Sequence, residues 1–199
     1  MILVLDSSAL ITLARIGRLD ILRQIAGTVH IPEAVYEEVV RSGQERPGSV
    51  EVAQAQWISR HQVQDEAAVA RLRPRVGRGE AEAIVLAREL EADALILDDA
   101  TARQVAEAEG GNVLGLLGVL LHGKAHGLVE TVRPILDEMV AAGFFIDDSL
   151  YRSILRNVAS WYLFPHLLKV LNRRIGPETG GLYASHLCHA PCDAPCVGV

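Results

Sequence analysis

Acidic residues stand at positions from which they could hold a divalent metal ion together. Asp6 directly follows the apolar run 2–5. Asp98 and Asp99 directly follow a second such run, 94–97. Both runs are typical of buried β-strands, and ligands of an open parallel sheet bind at the carboxyl ends of its strands. If the two strands are neighbours, these carboxylates converge on one cation; the sequence alone leaves that adjacency open.

Glutamates on predicted helices extend this acidic set. In a helix predicted over 33–42, Glu38 lies close to the apolar stripe, and in a helix predicted over 80–91, Glu80 continues the apolar stripe into the first turn. A carboxylate on a buried stripe is costly unless a cation or hydrogen bonds compensate it. Mg²⁺ would compensate it, because this ion prefers hard oxygen ligands and supports phosphodiester cleavage.

Each of these acids also has a purely structural interpretation. Asp6 could cap the helix that follows it, and Asp98 or Asp99 could cap the helix predicted after them. Glu80 is favoured by the helix macrodipole in a first turn, whatever else it does. The combination of acids, rather than any single residue, therefore carries the metal-site hypothesis.

The elements that must position these acids alternate between strand and helix along the chain. This alternation predicts an α/β fold with a parallel sheet flanked by helices. We expect strands over 2–5, 28–31, 94–97 and 112–114, with 61–64 as a further short strand or a loop, and a surface loop over 42–49. Amphipathic stretches predict helices over 8–16, 19–26, 33–42, 66–73, 80–91, 101–109, 116–125, 129–142 and 148–157.

Length and composition suit one domain with an appendage. The chain has 199 residues, of which 50% are hydrophobic, enough for a sizeable core. We predict a domain over 1–158 and a poorly ordered C-terminal tail over 159–199 with one possible helix, because periodicity stops there. All three cysteines lie in the last dozen residues, so the predicted domain depends on its core alone.

The formal net charge of −6 argues against indiscriminate binding of polyanions. A carboxylate cluster would itself contribute negative charge, which a bound metal ion would offset. The N-terminal Met-Ile-Leu-Val-Leu lacks a basic region, so it predicts a buried strand rather than a signal peptide. No apolar run approaches the ~20 residues of a membrane-spanning helix. We therefore expect a cytoplasmic protein that does not bind membranes.

Four ordered motifs over residues 1–157 resemble a PIN domain. They are Val-Leu-Asp-Ser-Ser (4–8), Ile-Pro-Glu-Ala-Val-Tyr-Glu-Glu-Val (31–39), Gly-Arg-Gly-Glu-Ala-Glu-Ala-Ile-Val-Leu-Ala (77–87) and Leu-Ile-Leu-Asp-Asp-Ala-Thr-Ala-Arg (95–103). More narrowly, the chain resembles the solitary prokaryotic PIN proteins of the DUF3368 type. These are predicted nucleic-acid-binding proteins related to VapC toxins.

The resemblance assigns roles to residues that match these motifs. It implies that four acids are catalytic and that a nearby serine supports them: Asp6, Glu38, Glu80, Asp99 and Ser8. The metal ligands that it implies are Asp6, Glu80 and Asp99, with Asp98 as a near neighbour. Leu97 stands where many PIN domains have threonine, so the register between Asp98 and Asp99 stays open.

The resemblance also implies a Rossmann-like sandwich, dependence on Mg²⁺ or Mn²⁺, endoribonuclease activity and frequent homodimers. We therefore expect an RNA-cleaving enzyme that is the toxin of a type II toxin–antitoxin pair, with a cognate antitoxin as partner. A phosphatase of the HAD type is disfavoured, because that chemistry needs Asp-x-Asp and position 8 is serine. A non-catalytic PIN module that binds nucleic acid or protein is the alternative, and the full set of acids argues against it.

Overall fold

The computed structural model describes residues 1–42 and 48–157. A five-stranded sheet runs through the molecule in the order β3-β2-β1-β4-β5, and every neighbouring pair of strands is parallel. The strands are β1 Leu3–Leu5, β2 Val29–Pro32, β3 Ile58–His61, β4 Ala94–Ile96 and β5 Val113–Leu114. The predicted α/β class with a parallel sheet flanked by helices is confirmed.

Helices connect and cover the strands. They are α1 Ser7–Arg15, α2 Asp20–Ala26, α3 Glu33–Tyr36, α4 Ser49–Gln54, α5 Glu66–Leu72, α6 Arg78–Glu89, α7 Ala100–Ala108, α8 Leu116–Ala125, α9 Val132–Ala141 and α10 Asp148–Asn157. A π-helical segment, Glu37–Arg41, continues α3, and the amide of Ser42 donates to the carbonyl of Glu37 five residues earlier at 2.8 Å. Such π-turns are rare and often occur at functional sites.

The sheet is buried on both faces, because successive residues of a strand point to opposite sides. Leu3 and Leu5 of β1 pack into one core together with α1, α2, α8 and α9. Val4, between them, packs into a second core with α5, α6 and α7. The two cores, one on each face of the sheet, fix where β1 and β4 end. They therefore also fix where the acids after these strands lie.

Helix α4 was not predicted, and it begins at the end of the segment predicted as a loop over 42–49. Gly48 caps it with φ 101°, a conformation that favours glycine, and a Cβ there would lie 2.6 Å from that of Ala14. The Glu51 carboxylate accepts the amide of Gly48 at 3.1 Å. Residues 43–47 of that predicted loop lie outside the described residues.

The segment 61–64, which the sequence leaves open as a short strand or a loop, lies mostly outside the sheet, because strand β3 is Ile58–His61. Among the described strands it lies at the edge of the sheet and pairs with β2, from Val29↔Ile58 to Pro32↔His61. Its side chains are partly exposed, so it lacks the apolar run that marks a buried strand. The predicted tail over 159–199 and its possible helix lie outside the described residues. Within the described part of the chain, every helix is too short or too polar to cross a bilayer.

Candidate active site

The acids after β1 and β4 emerge side by side, because these strands are parallel neighbours in the sheet. Leu5 pairs with Ile96 in the register, and the Asp6 amide donates to the carbonyl of Ile96 at 3.2 Å. The adjacency that the sequence left open is therefore present. It brings Asp6 and Asp98 to one edge of the sheet, where ligands of such folds bind.

Asp6 is almost completely removed from water, with 2% of its surface exposed. Its Oδ1 accepts the amide of Ala9 at 3.0 Å and so caps α1, while its Oδ2 accepts the hydroxyl of Ser8 at 2.6 Å. Burial raises the pKa of Asp6 to about 6; the hydrogen bonds from Ser8 and Ala9 oppose this rise, and the charges of Asp98 and Glu80 add to it. The same carboxylate is thus both a helix cap and a member of an acidic cluster.

Asp98 and Asp99 have different environments despite being adjacent in sequence. Asp99 is exposed and caps α7, accepting the amide of Ala102 at 2.7 Å. The Oδ1 of Asp98 instead accepts the amide of Leu116, at the start of α8, at 2.9 Å. Its Oδ2 is buried and has no hydrogen-bond partner among the described residues. The geometry therefore favours Asp98 as the carboxylate of the cluster and Asp99 as the cap.

The environment of Asp98 raises its pKa, chiefly through burial, while the Leu116 amide and the charge of Arg103 oppose the rise. Gly115 lies between these groups: a Cβ there would be 3.4 Å from both the Asp98 Oδ1 and the Arg103 Nη1. A buried carboxylate oxygen without a partner is uncommon in proteins and is expected to meet a proton, a water or a cation. Within the described residues, Oδ2 of Asp98 is therefore the oxygen of this cluster that is best suited to accept a ligand.

Glu80 lies in the first turn of α6 and is partly buried. It is near enough to Asp6 for its charge to raise the pKa of that residue. Its carboxylate folds back over Gly77, so closely that a Cβ at Gly77 would collide with it. Helix α6 therefore delivers this acid to the same edge of the sheet, as the position on the apolar stripe predicted.

Glu38 is exposed rather than set against the apolar stripe. It lies within the π-helical segment, where the wider turn moves side chains away from the positions that α-helical spacing predicts. Its Oε2 still lies close to α6, 3.2 Å from where a Cβ on Gly79 would be. Glu38 therefore stands beside the residue that precedes Glu80, at the outer side of the cluster.

Glu82 is a positioning residue that the sequence analysis did not identify. Its Oε2 accepts the amide of Ala34 in the first turn of α3 at 3.1 Å, and its Oε1 pairs with Arg78 at 2.8 Å. It thereby joins the helical segment that carries Glu38 to the helix that carries Glu80. The spacing of Arg78 and Glu82 was visible in the sequence, but the contact across helices was not.

The chemistry of these donors fits Mg²⁺ or Mn²⁺, since every candidate ligand is a carboxylate oxygen and one buried oxygen of Asp98 has no partner within the described part of the chain. Across residues 1–42 and 48–157, no group of three or more histidine, cysteine or acidic side chains is already gathered closely enough to hold a metal ion. The fit to a metal ion therefore depends on Asp6 and Asp98 at the edge of the sheet. Glu80 on α6 lies near Asp6, and Glu38 on the π-helical segment lies at the outer side of the cluster.

Comparison with known families agrees with this architecture. The family model described as DUF3368: PIN domain matches residues 2–160. Comparison with curated proteins and with solved structures gave no significant match. PIN domains are generally nucleases, and a parallel sheet with acids at its carboxyl edge suits that chemistry. The chain therefore belongs to the PIN domain family.

Proposed function

We propose that the protein is an Mg²⁺-dependent endoribonuclease whose cluster of acids hydrolyses RNA phosphodiesters, with Mn²⁺ as an alternative ion. The observation that carries this proposal is the buried Oδ2 of Asp98, which has no hydrogen-bond partner among the residues that the structure describes and lies beside the buried Asp6. Burial raises the pKa of both carboxylates, and the charge of Asp98 adds to the rise at Asp6, so keeping both acids ionised away from water is costly. A divalent cation between them would remove that cost.

Each acid has a place in the proposed site. Asp6 and Asp98 hold the ion, and Ser8 keeps the Asp6 carboxylate in one orientation through its 2.6 Å hydrogen bond. Glu80 adds charge from α6, and Glu38 stands at the outer side of the cluster. A bound Mg²⁺ supplies an activated water and stabilises charge on the phosphate.

Asp99 is assigned a supporting role in this proposal, as the cap that begins α7. That helix carries Arg103, whose guanidinium lies close to Asp98 and lowers the pKa of this acid. Asp99 therefore acts on the site through the placement of α7.

The experiment that tests the proposed function is cleavage of an end-labelled RNA pool by the purified protein with Mg²⁺, with Mn²⁺ or with EDTA. We expect cleavage with either ion, none with EDTA, and none by Asp6→Asn with either ion. A folded, metal-binding wild-type protein that leaves the pool intact would contradict the proposal. If it binds the RNA without cutting it, the non-catalytic PIN module becomes the better account.

We further propose that the protein is the toxin of a type II toxin–antitoxin pair and acts as a homodimer. The support is the resemblance of the four motifs to solitary PIN proteins related to VapC toxins. Induced expression should then arrest growth, and Asp98→Asn, produced at the same level, should not. Unimpaired growth with the wild-type protein abundant, folded and not bound to an antitoxin would contradict the toxin role while leaving the nuclease proposal intact.

A further inference from the structure

A groove of about 620 Å³ adjoins the acidic cluster. Ser8 and Asp98 line it, so it is continuous with the site described above. Its lining also includes the start of α8, at Leu117 and Gly118, and the segment 142–145 that joins α9 to α10. The cavity thus extends the acidic cluster toward an apolar wall, and its volume is typical of sites that hold a small organic group.

Two arginines line this groove as well, Arg15 of α1 and Arg103 of α7, and both are exposed. Arg15 is tied to the segment 142–145, since its Nη1 donates to the carbonyl of Ala142 at 3.3 Å. Guanidinium groups hold phosphate oxygens well because their donors form a planar fork. The groove therefore offers cations for a polyanion in a protein whose net charge is negative.

Phe145 is the aromatic side chain of this wall that is left in water, with 89% of its surface exposed. Gly143 makes the turn before it at φ 95°, and the adjacent Phe144 packs against the core. Phe144 therefore anchors the segment, while Phe145 is presented to the solvent. A single exposed apolar residue is ordinary, but this one lines the same groove as the two arginines and Asp98.

We propose that the groove binds one unpaired nucleotide of an RNA chain beside the phosphate to be cleaved. Its base stacks on Phe145, and its phosphates lie near Arg15 and Arg103. This inference rests on the proposed function and names Phe145 as the residue that holds the base next to that phosphate. Base stacking on a protein aromatic ring requires a base that is free of its own duplex, because bases inside an A-form helix are inaccessible to side chains.

The test measures binding of a short fluorescein-labelled oligouridylate and of a matching RNA duplex by fluorescence anisotropy. It is made in the Asp98→Asn background, where cleavage does not interfere. We expect tighter binding of the single strand, weakened roughly 5- to 150-fold by a further Phe145→Ala change, as the loss of one base–aromatic stack would give. Phe145→Trp should restore binding, whereas Phe145→Leu, which keeps apolar surface without a ring, should not.

Val50→Ala is the matched control, since Val50 is 60% exposed on α4 and does not line the groove. An oligomer with abasic sites throughout should bind equally to the proteins with and without Phe145→Ala. Equal binding of oligouridylate to the proteins with and without Phe145→Ala would overturn the inference. A change in sedimentation mass without a change in affinity would also overturn it, because it would place Phe145 at an interface between copies. Because binding is measured without cleavage, failure of the proposed catalysis would be seen separately.

Discussion

The protonation of Asp6 links the stability of the fold to the charge of one carboxylate in the acidic cluster. Burial raises its pKa from 3.8 to about 6, so the folded protein holds this proton more tightly than the unfolded chain does. The fold therefore loses stability as the pH rises from about 3.8 to about 6, and the full cost is present above that range. At neutral pH the metal-free protein is destabilised by a carboxylate that the proposed metal site would need in its ionised form.

Replacement of Asp6 by asparagine should remove this cost. For the metal-free protein at neutral pH, we predict that Asp6→Asn raises the free energy of unfolding by about 3 kcal/mol, the equivalent of the raised pKa. The gain should shrink as the pH falls through 6 and vanish below 3.8. Urea denaturation in EDTA across this range is the measurement; a gain that does not depend on pH would contradict the argument.

The sequence predicted the acids better than it predicted their roles. Asp6 and the pair Asp98–Asp99 stood out because an acid after a buried apolar run is conspicuous. Which acid of the pair faces the cluster depends on how the chain turns after β4, and either residue could cap α7 by its spacing. Only the folded structure shows that Oδ2 of Asp98 has no hydrogen-bond partner among the described residues.

At the scale of elements, the arrangement of α3 and α6 decides where two of the acids lie. The sequence predicted both helices but not the π-helical segment after α3, because hydrophobic spacing does not reveal a single wider turn. The exposure of Glu38 is the result. The link that Glu82 makes to the Ala34 amide was equally hidden, since it requires knowing which helices pack together.

The prediction at the scale of elements concerns the contact of Glu82 with α3. We expect Glu82→Ala to lower the free energy of unfolding by about 1–2 kcal/mol, because the amide of Ala34 at the start of α3 loses its acceptor. Glu82→Gln keeps a carbonyl oxygen for that amide and should cost less, although its pairing with Arg78 is weakened. Denaturant titration of both variants checks this; equal losses would show that the pairing of Glu82 with Arg78 within α6, and not its bond to the Ala34 amide, accounts for the stability.

Because the whole molecule has a net charge of −6, we expect it to bind nucleic acid through few phosphate contacts. The groove offers Arg15 and Arg103, so about two phosphates would be neutralised. A plot of log affinity against log salt concentration for single-stranded RNA should then have a slope of about −1.4, which corresponds to two contacts. Arg15→Gln should reduce the slope by about half. A slope several times steeper would mean that the protein binds RNA through a broad basic surface instead.

In the proposed function Asp98, and not its neighbour Asp99, belongs to the metal site, and a pair of matched substitutions distinguishes the two residues. Asp98→Asn keeps an acceptor for the Leu116 amide, and Asp99→Asn keeps a good cap for α7, so both variants should fold.

The measurement is the rate of Mg²⁺-dependent RNA cleavage by these two variants, with Mg²⁺ affinity measured by calorimetry on the same samples. We predict that Asp98→Asn loses about 100-fold or more in rate and most of its Mg²⁺ affinity, since even partners outside the ligand shell contribute 10- to 100-fold. Asp99→Asn should stay close to the wild type in both. Loss of cleavage in Asp99→Asn with an active Asp98→Asn would contradict this account of the site.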